Sequence, residues 1–287
     1  MNLRSPHDAT LYVRAAMSAA ESHTAAAGDA VIYSHVSPDK DTPNEDAAAI
    51  IPYDAGSAVL VVADGLGGQR AGDVASNAAI GALRDALEKA AAEQAPLRTA
   101  ILDAIETANK TVLETGLGAA TTLAAVEIFD GCARTYHIGD SMALITGQRG
   151  KIKLQTICHS PVGFAVEAGV LDEKEAINHE DRHIVSNIVG SPDMRIEIGS
   201  AITLAEHDTV LLASDGLFDN MHVDEIVNIV RAGSLTDAAA KLAAEAQMRM
   251  MTPEEDHPCK PDDLTFILFR RRAKAPSNSK VATPAAG

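Results

Sequence analysis

The chain has 287 residues, 46% of them hydrophobic but only 3% aromatic and none tryptophan, so Ala, Val, Ile and Leu must pack its core. A formal net charge of −16 repels the phosphates of nucleic acid and of anionic membrane surfaces, and no stretch approaches the ~20 apolar residues of a membrane span. Three scattered cysteines, Cys132, Cys158 and Cys259, form no CxxC pair, which argues against a disulfide framework or a thiolate zinc site and fits a reducing cytoplasm.

Residues 1–27, rich in Ala, Ser and Thr, are expected to be a leader, at most a frayed helix. Strands are predicted at 31–33, 47–52 and 57–63, followed by a glycine-rich turn at 65–68. Two Ala-rich helices with apolar residues at three-to-four spacing are predicted over about 71–93 and, after Pro96, to about 114. A second strand series is expected at 121–128, 133–137, 143–146 and 152–155, separated by Asp130-Gly131, Gly139-Asp140 and Arg149-Gly150 turns. Residues 159–200 look like an inserted flap, with a capped helix start at Asp172–Glu175. After a strand near 210–213, helices are predicted at about 223–232 and 235–250, the second capped by Ser234 and Asp237. A last strand at 264–269 closes one domain spanning 28–272, and a basic tail from 273 to 287 is expected to be disordered. Strands grouped with strands, and helices arriving in pairs, predict an α+β protein with antiparallel sheets flanked by helix pairs.

Within this pattern the acids stand out. Val59–Ala63 ends in Asp64-Gly65, and Val210–Ser214 ends in Asp215-Gly216. In each, glycine lets the backbone turn where a buried strand stops, which delivers a carboxylate to the rim of a sheet. Asn44-Glu45-Asp46 and Asp262-Asp263 lie just before strands, and Gly139-Asp140-Ser141 occupies a hairpin turn. Converging carboxylates ~4 Å apart repel by about 4 kcal/mol per pair at an effective dielectric near 20, a cost that divalent cations remove. Oxygen ligands without His or Cys select Mg²⁺ or Mn²⁺ over zinc, and two such ions would activate a water for attack on phosphorus.

Asn44-Glu45-Asp46-Ala47, Val62-Ala63-Asp64-Gly65-Leu66-Gly67-Gly68, Ala120-Thr121-Thr122-Leu123, Gly139-Asp140-Ser141, Ala213-Ser214-Asp215-Gly216-Leu217-Phe218-Asp219 and Asp262-Asp263-Leu264-Thr265 together resemble the ordered motifs of the PP2C-type (PPM) metal-dependent protein serine/threonine phosphatases. His159-Ser160 and Asn187-Ile188-Val189-Gly190 are similar to the edges of that family's flap, so the resemblance spans about 30–270. It implies a four-layer α-β-β-α sandwich of two antiparallel sheets and hydrolysis of phosphoserine and phosphothreonine by metal-activated water at a binuclear Mn²⁺ or Mg²⁺ centre. It further implies that Asp64 bridges the two ions and the Gly65 carbonyl ligates one of them. Asp46, Asp215 and Asp262 would be direct ligands and Glu45 a ligand through water, while Asp140 with Asp215 would hold a weaker third ion and Asp263 would orient its neighbour. Phosphorylated proteins are the implied partners, an opposing serine/threonine kinase the implied context, and a monomer the expected state.

The chain departs from the family in three places. Where the family places an Arg to grip phosphate, four residues before the Glu, this chain has Asp41, with Lys40 beside it as a point charge lacking the bidentate fork. Met142 follows Gly-Asp-Ser where an Arg is usual, and Leu66 and Gln69 stand where a histidine is common. Two other readings therefore stay open: a catalytically weak phosphatase-like binding module, and a zinc peptidase through the HExxH match of His179, Glu180 and His183.

Overall fold

The computed structural model describes residues 8–66, 71–177, 179–252 and 258–272. Strands β1 (Thr10–Val13), β2 (Glu21–Ala25), β3 (Gly28–His35), β4 (Ala47–Pro52), β5 (Ala58–Ala63) and the short β6 (Gly65–Leu66) come first, then helices α1 (Gly72–Ala92) and α2 (Leu97–Glu114). Next are β7 (Ala120–Thr121), β8 (Leu123–Phe129), β9 (Cys132–Ile138), β10 (Met142–Thr146) and β11 (Ile152–Gln155). A lid-like insertion carries α3 (Pro161–Glu167), α4 (Glu173–Ile177), a 3₁₀ turn (Glu180–His183), β12 (Glu197–Ile198) and β13 (Ile202–Thr203). The chain continues through β14 (Thr209–Ala213), α5 (Asp215–Phe218), α6 (Val223–Val230), α7 (Leu235–Met251) and β15 (Leu264–Arg271).

One sheet runs β1-β4-β5-β8-β9-β12, with β13 also on β9, and a second runs β11-β10-β14-β15-β3-β2. All their pairings are antiparallel. The apolar runs are continuous because the central strands are buried on both faces. Along β5, Val59, Val61 and Ala63 meet α1 and α2, while Ala58, Leu60 and Val62 face the second sheet. The second sheet likewise turns Leu211, Ala213, Phe266 and Leu268 toward α5–α7. Three apolar layers between four layers of backbone give the α-β-β-α sandwich. Ala75, Ala79, Ala104 and Ala108 hold the α1–α2 seam, where small side chains let the helices approach without bulky aromatics.

The N-terminal segment differs from expectation. From residue 8 it is not a frayed helix. β1 pairs with β4 at the edge of one sheet and β2 with β3 at the edge of the other. Arg14 then ties the crossing to α1 through Asp73 at 2.6 Å. The expected leader's residues 1–7 and the expected tail at 273–287 lie outside the described residues. Arg270, the penultimate residue of β15, donates to Thr209 Oγ1 and the Val230 carbonyl at 2.9 Å each. The helix cap at Asp172–Glu175 is reciprocal, Glu175 N–H donating to Asp172 Oδ1 at 2.7 Å and Asp172 N–H to Glu175 Oε2 at 3.0 Å.

Candidate metal centre

Strand register brings the motif acids to one end of the sandwich. Ala47 pairs with Ala63, so Asp46, just before β4, and Asp64, just after β5, share that end. In the second sheet Met142 and Phe266 both pair with Ala213, which places the Gly139-Asp140-Ser141 turn, Asp215 and Asp262-Asp263 at the same end. A bond crosses between the sheets here: Ser214 Oγ donates to Asp46 Oδ2 at 2.7 Å, and accepts from Thr265 N–H at 3.2 Å. Ser214→Ala removes both contacts and leaves a buried carboxylate oxygen short of a donor. We expect this change to cost about 1–3 kcal/mol in urea unfolding.

Asp64 is fixed through its backbone. Its N–H donates to Thr122 Oγ1 at 3.0 Å, and its carbonyl accepts from Thr122 N–H and Thr121 Oγ1 at 2.8 Å. Thr122 Oγ1 also meets Ser141 Oγ at 2.6 Å, so the Thr-Thr pair links Asp64 to the Asp140 turn. Gly65 is needed for close approach: a Cβ there would run into the Gly72 carbonyl, and one at Gly72 would lie 2.5 Å from Glu45 Oε1 and 2.6 Å from the Gly65 carbonyl oxygen. Glu45 and the Gly65 carbonyl thus border one small volume. Gly216 has a similar reason, since a Cβ there would overlap the Asp263 carbonyl.

The charges confirm that these groups sense one another. Burial pushes the Asp64 carboxyl far above the usual carboxylate range, and Asp215, Asp46, Asp262 and Asp140 push it further. Burial does the same for Asp46, helped by Asp263 and Asp262. Asp140 rises to about 7 through burial and then Asp215, and Asp262 to about 6 through burial and then Asp215. Asp140 Oδ1 is buried and has no hydrogen-bond partner among the described residues. A donor set made of oxygens, several driven toward protonation by burial and then by one another, fits hard divalent cations. The oxygens are not packed into a one-ion cage, because among the described residues no three of these carboxylates come within 4.8 Å of one another.

Asp263 is occupied elsewhere. Only 3% exposed, it accepts from Ser37 N–H at 2.8 Å, Glu45 N–H at 2.7 Å and the Lys40 ammonium at 2.8 Å, while Asp262 faces Asp64 and Asp215. Lys40 stands at the rim, where it also binds Glu45 Oε2 at 2.5 Å. Burial works against its charge, yet Asp263 and Glu45 hold its pKa above the ordinary value for lysine. Cys158, beside Asp140, is no nucleophile, because burial and then the Asp140, Asp219 and Asp215 charges push its thiol far up.

Sequence reasoning left Asp219 without a role and missed Lys260, whose ammonium lies 2.5 Å from Asp215, 2.9 Å from Asp219 and 3.0 Å from Asp262. It also missed the cluster of His137, His159 and Glu197, the group of ligand-type side chains closest together among the described residues. Gly139 N–H donates to His159 Nδ1 at 3.1 Å, so the ring proton sits on Nε2, facing Glu197 Oε2 at 3.0 Å. That tautomer has no lone pair for an ion between the three, and the cluster ties β12 to the Asp140 turn instead. The zinc alternative fails on geometry. His179 caps a four-residue 3₁₀ turn by accepting from Asp181 N–H, and three residues per turn do not stack i and i+4 on one face.

The insertion borders the acids. A cavity of about 370 Å³ is walled by Cys158, Val162, Val166 and Arg182 on one side and Asp140, Asp215, Phe218 and Asp219 on the other.

Residues 33–252 match the sequence profile of the family described as Protein phosphatase 2C. Protein phosphatase PhpP of Streptococcus pneumoniae is 33% identical over 199 residues, 67% of this chain and 80% of that protein. A solved serine/threonine phosphatase of S. agalactiae superposes with a TM-score of 0.70 at 27% identity, covering 85% of this chain and 99% of that one. The catalytic domain of the phosphatase PstP, solved with two manganese ions, is alike in fold, with a TM-score of 0.67 at 24% identity over 85% of this chain and 98% of that one.

Proposed function

The chain belongs to the protein phosphatase 2C family, and from that premise we propose that Asp46, Asp64, Asp215, Asp262 and the Gly65 carbonyl hold two Mn²⁺ or Mg²⁺ ions at which phosphoserine and phosphothreonine in proteins are hydrolysed. As a member it is a metal-dependent phosphoprotein phosphatase. When bound, the two ions supply a water activated at neutral pH and neutralise charge on the phosphoryl group. The observation that carries this reading is the single rim at which four strand ends from two sheets deliver mutually repelling carboxylates.

The chain's own residues do the positioning. Asp64, locked by Thr121 and Thr122, would help hold both ions; Ser214 aims Asp46, and the spent hydrogen-bond capacity of Asp263 frees Asp262. Glu45 would act through water, and Asp140 with Asp215 would hold a weaker third ion. Lys40 gives the substrate phosphate a point charge at the rim in place of an arginine fork. Phosphorylated proteins dock against the insertion, opposite a serine/threonine kinase, and the enzyme works as a monomer in the cytoplasm. Three free cysteines among the described residues support a reducing compartment, and no described helix is long and apolar enough to cross a membrane.

The test is hydrolysis of a phosphothreonine peptide by chelator-stripped protein. Phosphate release should be negligible without metal and return with Mn²⁺ or Mg²⁺. Equal turnover in the presence of chelator would rule the reading out.

A further inference from the structure

Lys260 is buried more deeply in the acidic rim than a solvated lysine needs to be, and its backbone is anchored. Asn220, fully buried, accepts from Lys260 N–H at 2.8 Å through Oδ1 and donates through Nδ2 to the Lys260 carbonyl at 2.8 Å. The same amide nitrogen donates to the Gly216 carbonyl at 2.9 Å, one residue from Asp215. Arg249, itself buried, donates to the Asn220 carbonyl at 3.0 Å and so ties this clamp to α7. From this held backbone the side chain reaches three carboxylates: its ammonium lies 2.5 Å from Asp215 Oδ2, 2.9 Å from Asp219 Oδ2 and 3.0 Å from Asp262 Oδ2.

We propose that Lys260 is a tethered cation of the metal centre, sharing Asp215 and Asp262 with a divalent ion and thereby setting how tightly that ion is held. The inference rests on the metal-centre reading given above. An ammonium and a metal ion that claim the same carboxylate oxygens weaken each other's hold, and the coupling is reciprocal. Lys260 then has two effects. It compensates three crowded carboxylates when metal is scarce, and it lowers affinity for the ion at Asp215 and Asp262, making occupancy responsive to metal supply. Asp219 completes the arrangement, since it gives the ammonium a carboxylate to retain when the ion claims the other two. Lys260 is a positioning residue, so its effect must be visible in binding and stability as well as in turnover.

The experiment is a calorimetric Mn²⁺ titration of the chelator-stripped full chain, with melting of the metal-free protein alongside, for wild type, Lys260→Met, Lys260→Arg and Asp64→Asn. Lys260→Met keeps the length of the stem and removes the charge; it should bind Mn²⁺ about tenfold or more tightly and melt lower without metal, with Lys260→Arg near wild type. If Lys260→Met is unfolded without metal, Mn²⁺ should refold it. Mn²⁺ affinity unchanged or weaker in Lys260→Met, or failure of Mn²⁺ to refold it, overturns the tethered-cation role. If wild type binds Mn²⁺ no differently from Asp64→Asn, the metal-centre reading falls and takes this inference with it. Wild-type binding that depends on Asp64, with Lys260→Met indistinguishable from it, removes the inference alone.

Discussion

Asp64→Asn should lower kcat on a phosphothreonine peptide by about 10³-fold while leaving the fold intact. The amide is nearly the same size as the carboxylate, and the backbone bonds to Thr121 and Thr122 that fix this residue do not involve its side chain. What it loses is the negative charge at the centre of the acidic group. The same change should raise the melting temperature of the metal-free protein, since burial and then Asp215, Asp46, Asp262 and Asp140 all disfavour a charge at Asp64. Loss of activity together with gain of metal-free stability separates a functional residue from a structural one. His183→Ala, on the exposed 3₁₀ turn, should change neither quantity appreciably. An Asp64→Asn enzyme with near wild-type kcat would show that the strand-end acids do not carry the reaction.

The second large effect is on stability against pH. Asp140 titrates near 7 and Asp262 near 6 in the folded protein, against about 3.9 for an unfolded aspartate. Between those values the folded state binds more protons than the unfolded one, so stability falls as pH rises through the window. Glu225 acts in the opposite sense. Its bonds to Arg249 hold its carboxyl down to about 2, and that contribution is lost as pH falls below the usual carboxylate range. The metal-free protein should therefore be most stable at about pH 4 and lose stability toward neutral pH, a trend that His137, held down to about 3 by burial, opposes without reversing. It should melt on the order of 5–10 °C higher at pH 5 than at pH 7.5. Saturating Mn²⁺ should abolish or invert that difference, because bound cations favour the ionised carboxylates. A metal-free protein more stable at pH 7.5 than at pH 5 would mean that the acids are not crowded as described.

The layered fold was legible because its central strands obey a simple rule. A strand buried on both faces reads as an unbroken apolar run, and Val59–Ala63 and Val210–Ala213 do so. The acids were legible for the same reason: Asp46 and Asp64 are the first polar residues where such a run meets a rim, and Asp215 and Asp262 lie one residue further out. Edge strands carry no such signal. β2 leaves Glu21, Ser22 and Thr24 exposed and buries only Ala25, which in sequence is indistinguishable from a polar leader.

Lys260 was invisible for a different reason. A lone lysine two residues before Asp262 reads as solvated surface, and only the grip of Asn220, 40 residues away, directs it inward. The division of labour between Asp262 and Asp263 was suggested by resemblance, and its physical cause is three-dimensional: Ser37, Lys40 and Glu45 converge on Asp263 from the loop between β3 and β4. The HExxH match shows the opposite error. Spacing in sequence mimics a helical face, while the local backbone winds too tightly to build one.

The most direct test is anomalous scattering at the manganese edge from crystals grown with Mn²⁺. Two strong peaks are expected at the rim between the sheets, with Asp64 between them and Asp46, Asp215 and Asp262 around them. Peaks elsewhere, or none against these four carboxylates at saturating Mn²⁺, would contradict the claim that the fold gathers them to hold hard cations.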